Sequence, residues 1–291
     1  MSLRTFVSAV GVIVALLLTA VAVPAAWVDA NAVKEDGFVR LAGALGKDGD
    51  FQNRLATSAV ATFESSVELP EPVRNLAGDA LKNAASGMQS WSDYPQAWEE
   101  TVRNSHRLNF GSSQPEEAGT PTALQLDIAP LVRLIRDHFA SSTGIRLDVP
   151  QQSVVTLGQP SQRQAVEKVA AFAPLWWVAA LGAAVAALLA LTAARRRASV
   201  VFFLGLGGLA LAALWTTTTD VAVGAVGNLS SGNSVAELFK NEFLAEAKAG
   251  FGQWILVDVW IAAGLLLLGL VAWLITGRGR SRSADRSSTG R

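Results

Sequence analysis

Residues 172 to 201 have the sequence FAPLWWVAALGAAVAALLALTAARRRASVV, and the predicted positions of the other segments follow from this stretch. No residue from Phe172 to Ala194 is charged, and a helix of this length, at about 1.5 Å per residue, spans roughly 34 Å. Because the hydrocarbon core of a bilayer is about 30 Å thick, the segment is predicted to cross a membrane. Tryptophans stand near its start and arginines follow its end. Since arginine clusters stay in the cytoplasm, the helix is predicted to run from outside to inside.

Further apolar segments give a predicted topology of four membrane helices. The chain between the first apolar segment and Phe172 must lie outside, and the chain after the arginines must re-enter the membrane. There, Gly205, Gly207 and Gly208 are predicted to allow close helix approach. The predicted segments are transmembrane helices at 1–27, 172–194, 200–217 and 254–276, a cytoplasmic turn at 195–199, an external loop at 218–253 and a basic, disordered tail at 277–291. Both termini are then cytoplasmic.

The first apolar run, Phe6 to Val23, has two interpretations. The triplet Val28-Asp29-Ala30 has the small-residue spacing of a signal-peptidase site, whereas the run is longer than the usual apolar region of a signal peptide, about 7 to 15 residues. An uncleaved anchor is favoured, and a cleaved signal peptide is the alternative. In either case, the residues that follow are external.

Composition and charge fit this topology. The 291 residues are 51% hydrophobic and 16% charged, which is more apolar than is usual for a soluble domain. The net charge of zero argues against nucleic-acid binding. Residues 28–172 contain 13 Lys/Arg and 18 Asp/Glu, whereas the tail after Thr276 contains five Arg and one Asp, in agreement with the positive-inside rule. No cysteine is present, which excludes disulfides and thiol chemistry.

Residues 28–171 are predicted to form an extracytoplasmic α+β domain of short helices and a small sheet. Apolar residues spaced by three and four predict helices from Asn31 to about Gly111, and a polar linker follows to Pro121. Alternating apolar residues predict strands at 124–128, 145–149 and 154–157. The amphipathic stretch between the first two strands predicts a helix that Gly144 ends. The expected fold class is therefore a mainly α membrane protein, with four transmembrane helices and this α+β domain.

The external loop at 218–253 contains a predicted amphipathic helix at 234–249. Ser234 and Glu237 have the spacing of a capping box, and Gly250 can end the helix. One apolar stripe includes Val235, Leu238, Phe239 and Phe243. Packing onto the external domain is favoured for this stripe, and contact with the membrane surface or a partner is the alternative.

Asp258 is the only charged residue between Trp254 and Thr276, and it is the strongest candidate for a functional residue. A carboxylate within a membrane span marks a functional site by default. With Thr216, Thr217 and Asp220 it forms a candidate polar cluster, intramembrane or interfacial. The favoured interpretation is an interfacial carboxylate that is hydrogen-bonded to the threonines, and ion or substrate handling is the alternative.

Other residue patterns predict no catalytic, cofactor or metal site. His106 and His138, the only histidines, have no metal-binding spacing, and no G-x-S-x-G motif occurs. The arginine cluster Arg195, Arg196 and Arg197 is a candidate for contact with lipid headgroups, in addition to its role in topology. A non-enzymatic chain without a cofactor is expected.

Three segments carry a resemblance to a known family: VPAAWVDANAVKEDGFVRLAGALGKDGDFQNRLATSAV at 23–60, LQLDIAPLVRLIRDHF at 124–139 and IRLDVPQQSVVTL at 145–157. In this order and before three closing spans, they resemble an actinobacterial family of four-helix integral membrane proteins with a large extracytoplasmic domain between the first two spans. The resemblance covers nearly the whole chain through its layout. It implies topology and a place in the cell envelope, and it supplies no catalytic residues.

Two functions follow as hypotheses. The favoured one is an accessory, scaffold or sensor component of the bacterial envelope, embedded in the lipid bilayer, whose external domain contacts another membrane or envelope protein. The alternative is the binding or transfer of a lipid or another hydrophobic envelope molecule, which a continuous apolar cavity would favour.

Overall fold

The computed structural model describes residues 3–55, 57, 87–111, 123–144, 154–157, 160–230 and 234–285. The predicted helices between residues 58 and 86, most of the linker before Pro121, the strand at 145–149 and the last six residues of the tail lie outside these ranges. The described residues are mainly helical, as predicted.

In chain order, the helices are α1 (Leu3–Val28), α2 (Glu35–Gly43), α3 (Tyr94–Phe110), α4 (Ala129–Thr143), α5 (Pro160–Phe172), α6 (Trp176–Ala193), α7 (Arg197–Gly227) and α8 (Ser234–Asp285). The strands are β1 (Leu124–Asp127) and β2 (Val154–Leu157). Shorter pieces are a π-helix at Asp29–Val33, 3-10 turns at Leu45–Lys47, Met88–Ser90 and Ala173–Leu175, and helical residues 49–55.

The chain divides into two compact units. The first, here called the bundle unit, consists of Met1–Trp27, Phe172–Val221 and Gly250–Arg291. The second, here called the two-segment unit, is built from Val28–Ala171 and Ala222–Ala249. The segment between the third and fourth predicted spans thus belongs to the same unit as the segment between the first and second.

Four helical segments in the described ranges are long and apolar enough to cross a membrane: Leu3–Val33, Pro160–Ala193, Arg197–Gly227 and Ser234–Ile275. Their number agrees with the predicted topology. Such a set of helices is consistent with a multi-pass membrane protein.

Several predicted helix ends differ from the structure. Gly250 does not end the helix predicted at 234–249, because α8 continues from Ser234 through this residue without a break. α7 does not end at residue 217 but continues to Gly227, because the intervening residues contain no proline and helix extension adds one hydrogen bond per residue. For the same reason α8 continues to Asp285, so the predicted disorder from residue 277 is wrong for residues 277–285.

Small residues set the spacing between helices of the bundle unit. Gly205 and Gly208 on α7 lie against Ala262 of α8, where a Cβ on Gly208 would come within 2.8 Å of the Ala262 Cβ. Gly207 faces Leu16 of α1. These contacts confirm the prediction that the three glycines allow close approach.

Polar side chains add hydrogen bonds between helices of the bundle unit. The Ser8 hydroxyl of α1 donates to the carbonyl oxygen of Ala190 on α6 at 3.0 Å. Trp215 Nε1 of α7 donates to the carbonyl oxygen of Ala20 on α1 at 3.2 Å. Each bond satisfies a donor that could not find water within a membrane.

The core of the two-segment unit draws on both of its segments. Phe51 is fully buried and meets Trp98 edge to face, with ring centroids 5.6 Å apart. Val235 and Phe239, from the start of α8, are buried in the same hydrophobic cluster. Val235 and Phe239 therefore pack onto the unit, as the favoured interpretation of the amphipathic stripe predicted, rather than onto the membrane surface or a partner.

The sheet has only two strands within the described residues. β1 and β2 pair antiparallel, with Leu124 opposite Leu157 and Asp127 opposite Val154. The Asn109 side chain donates from Nδ2 to the carbonyl oxygen of Gln125 at 2.6 Å and accepts from the Gln125 amide at 2.9 Å. It thereby satisfies backbone groups of β1 as a third strand would. The predicted strands at 124–128 and 154–157 are confirmed, each to within a residue.

The helix predicted between the strands is α4, and it ends where predicted. Gly144 adopts a φ of 74°, in the left-handed region, and its amide donates to the carbonyl oxygen of Ala140 at 2.9 Å. A glycine reaches this conformation without steric cost, which explains its place at the helix end.

Glu35 joins α2 to α3 through two arginines. Its carboxylate accepts hydrogen bonds from Arg107 Nε at 3.0 Å and from Arg103 Nη1 at 2.6 Å. The bonds from Arg107, and next those from Arg103, hold the pKa of Glu35 below its ordinary value of 4.5. The ion pair therefore favours the ionised carboxylate and the contact between the two helices.

A dependence of stability on pH follows. Since the pKa of Glu35 is lower in the folded chain than in the unfolded one, its contribution is complete above the unfolded-state value and is lost as the pH falls through the folded-state value. We expect Glu35→Gln to lower the unfolding free energy at about pH 7 and to change it little at about pH 2, in urea titrations of the full chain. Asp36→Asn is the comparison variant: the Asp36 carboxylate lies 3.9 Å from Arg103 Nη1 but is 94% exposed, so we expect its removal to have a much smaller effect. An effect of Glu35→Gln that is equal at both pH values would contradict the assignment.

Candidate functional site

Asp258 lies on α8 within the bundle unit, between apolar residues. Its Oδ2 atom is buried and has no hydrogen-bond partner. A buried carboxylate oxygen without a partner is costly in free energy, because nothing replaces the water it has lost. Such an atom calls for an explanation.

The predicted hydrogen bond from the threonines to this buried oxygen is absent. Thr216 and Thr217 donate their hydroxyls to the carbonyl oxygens of Ala212 and Ala213 on their own helix, each at 2.9 Å. Threonines in membrane helices commonly satisfy their hydroxyls in this way. Asp220 is exposed on the same helix. The structure therefore does not gather the predicted polar cluster around the Asp258 Oδ2.

Asp258 instead lines a cavity of about 380 Å³ among α1, α6, α7 and α8. Every lining residue except Asp258 and Thr19 is Ala, Gly, Val, Leu or Ile. The Thr19 hydroxyl is already engaged, since it donates to the carbonyl oxygen of Ala15 at 2.8 Å. Among the lining residues, Asp258 thus supplies the single carboxylate in an apolar space.

The cavity arises because small side chains occupy the inner face of α6. This helix contributes Ala180, Ala183, Ala184 and Ala187, which share one face by their spacing of three and four residues. The larger residue Leu181 of the same helix is 59% exposed and points away. The alanine methyl groups of α6 are too short to fill the space toward α8, whereas leucines at the same positions would fill it.

Residues of α8 also line the cavity, and they too lie on one face of their helix. Asp258, Ile261, Ala262 and Leu265 line the cavity with the same helical spacing. Ile261 is 58% exposed, and Ala184 on α6 is exposed as well. The cavity therefore opens between α6 and α8, on a side that would face lipid if these helices cross a bilayer.

A second cavity, of about 240 Å³, lies within the two-segment unit. It is lined by Val28 and the π-helix on one side, by Phe110, and by α5 residues such as Val166 and Val169. All of its lining residues are apolar, so it offers no polar group that could orient a ligand.

The remaining sequence candidates are placed as follows. Arg195, Arg196 and Arg197 are exposed at the junction of α6 and α7, and their contact with lipid headgroups stays a prediction. His106 is buried, with Nε2 at 2.9 Å from the carbonyl oxygen of Val33. His138 stacks on Trp91, with ring centroids 3.8 Å apart. Within the described residues, no three side chains of the metal-binding types converge.

Sequence reasoning identified Asp258 but missed the cavity beside it. The available signal was the run of alanines at 180, 183, 184 and 187, which places four methyl groups on one helix face. A helix face made of small side chains allows either close packing or a cavity. Which of the two forms depends on the side chains of the partner helix.

No family model matches the chain, and no curated protein and no solved structure matches it. The chemistry of the cavity is therefore the basis on which a function can be inferred.

Proposed function

We propose that this chain is a multi-pass protein of the bacterial envelope that binds a hydrophobic molecule between its membrane-spanning helices. The observation that carries the proposal is the apolar cavity of about 380 Å³ to which α1, α6, α7 and α8 all contribute. Pockets for small molecules have volumes of about 300 to 1,000 Å³, with mostly apolar walls and few polar groups.

The position of the opening supports a ligand that arrives from the bilayer. Ala184 and Ile261, on α6 and α8, are lining residues that are also exposed. A hydrophobic molecule dissolved in the lipid can enter between these helices without crossing water. Binding or transfer of a lipid, or of another hydrophobic envelope molecule, is the activity that fits this access.

In this proposal the two-segment unit is extracytoplasmic, as an α+β domain with short helices and a small sheet. The arginine cluster at 195–197 and the acidic balance of residues 28–172 favour this orientation. The bilayer is the first partner of the chain, and no catalytic role is assigned to it.

A second candidate function, an accessory, scaffold or sensor component, is favoured by one observation. The two-segment unit is compact by itself, with a core formed by two separate stretches of chain, and a cavity in the bundle unit does not require it. A contact with another membrane or envelope protein would explain such a unit.

The test is purification of the full chain from bacterial membranes in mild detergent, followed by native mass spectrometry and lipid extraction. We expect one hydrophobic species to be retained in near-equal amount with the chain. A stoichiometric protein partner with no retained hydrophobic species would favour the second candidate. Retention of bulk lipids in their membrane proportions would contradict the proposed function.

A further inference from the structure

We infer that the molecule bound in the cavity carries a protonated amine, which pairs with the carboxylate of Asp258. This inference rests on the proposed function, since it names the chemical class of the same ligand. The occupant would be a cationic amphiphile, with an apolar chain along the alanine face of α6 and its ammonium group at Asp258.

Charge complementarity is the first argument. Asp258 lines the cavity and its buried Oδ2 has no hydrogen-bond partner. A carboxylate in an apolar surrounding is stabilised by an opposite charge within contact distance. Within membrane spans, ionisable residues almost always pair with one another or mark a substrate pathway.

None of the residues that line the cavity supplies such a charge. α1 contributes Thr19 as its polar lining residue, whereas α6 and α7 contribute only Ala, Gly and Leu. Among the lining residues there is no Lys, Arg or His. A positive partner for Asp258 within this cavity would therefore come from the ligand.

Hydrogen-bond chemistry is the second argument. An ammonium group brings a positive charge and three N–H donors, while the carboxylate is an acceptor through both oxygens. A hydroxyl would supply one donor and no charge. Charged hydrogen bonds are roughly twice as strong as neutral ones, so an amine satisfies Asp258 better than an alcohol of equal length.

The experiment compares dodecylamine with dodecanol, which share an apolar chain and differ in the head group. Full-length chain in phosphatidylcholine nanodiscs is titrated with each probe, and binding is measured by native mass spectrometry. We expect the unmodified chain to bind the amine more tightly than the alcohol by a factor on the order of ten or more. In Asp258→Asn this preference should disappear, mainly through weaker amine binding.

Three controls keep the outcomes separate. Asp220→Asn removes an exposed carboxylate from α7 of the bundle unit and should leave the preference unchanged. Asp258→Glu keeps the charge and should keep the preference, which covers the case in which Asp258→Asn does not fold. Equal binding of both probes by the unmodified chain, or a preference that survives in Asp258→Asn, would overturn the amine while leaving the proposed function in place. Binding of neither probe above the level of nanodiscs without protein would contradict the proposed function itself.

Discussion

Gly205→Leu is expected to destabilise the bundle unit by about 1–3 kcal/mol, the usual cost of overpacking a close contact. A Cβ at this position would lie 2.6 Å from the carbonyl oxygen of Ala262 and 2.8 Å from the Cα of Leu266. Both atoms belong to the backbone of α8, so the clash is relieved only if α7 and α8 separate. Between membrane helices, close packing replaces the hydrophobic driving force, which makes the separation costly.

The measurement is the unfolding midpoint of the purified chain in mild detergent, with its monodispersity as a second readout. Gly264→Leu is the matched control: it adds the same side chain to α8 at a position where a Cβ meets nothing within 4 Å. We expect the control to be at least as stable as the unmodified chain, because leucine is the better helix former. Equal midpoints for the two variants would show that α7 and α8 do not meet at Gly205.

Phe239→Ala should have a large effect in the two-segment unit, a loss of about 3–5 kcal/mol. Phe239 is 6% exposed and belongs to the same cluster as Phe51 and Trp98, which the other segment of the unit contributes. Truncation removes the ring and leaves a cavity that the surrounding side chains only partly fill. A large loss would establish that residues 222–249 are an integral part of this unit.

Denaturant unfolding of the full chain, followed by amide hydrogen exchange of α2 and α3, measures this loss. Leu229→Ala is the control on the same segment, because Leu229 is 42% exposed. We expect it to change stability by less than about 0.5 kcal/mol. If Phe239→Ala left exchange in α2 and α3 unchanged, the shared core would be refuted.

The spans could be predicted from sequence because their signal is local. An uncharged run such as Phe172 to Ala194 is long enough to cross a membrane whatever its neighbours are. The turn at Gly144 was equally local, since glycine favours the left-handed conformation found there. The end of α7 was missed because the polar residues after Trp215 suggested a boundary, although their hydroxyls bond within the helix and let it continue.

The candidate site was predictable only in part, because a cavity depends on which faces meet. Asp258 stands out in the sequence as a single charge in an apolar run. Its predicted threonine partners turn their hydroxyls to their own backbone, and the alanine face of α6 contributes to the cavity instead. Similarly, the stripe at Val235 and Phe239 predicted an amphipathic helix and favoured packing onto the rest of the domain, but did not identify the particular residues that cover it.

If the cavity holds a hydrophobic molecule, a large side chain placed inside it should exclude that molecule. Ala183 lines the cavity and is 9% exposed, whereas Val185 on the same helix is 47% exposed and is not a lining residue. The measurement is the amount of hydrophobic species retained per chain after purification of Ala183→Phe and Val185→Phe, each with an unfolding midpoint near that of the unmodified chain. We predict that Ala183→Phe loses the species and Val185→Phe retains it. Equal retention by both variants would contradict binding in this cavity.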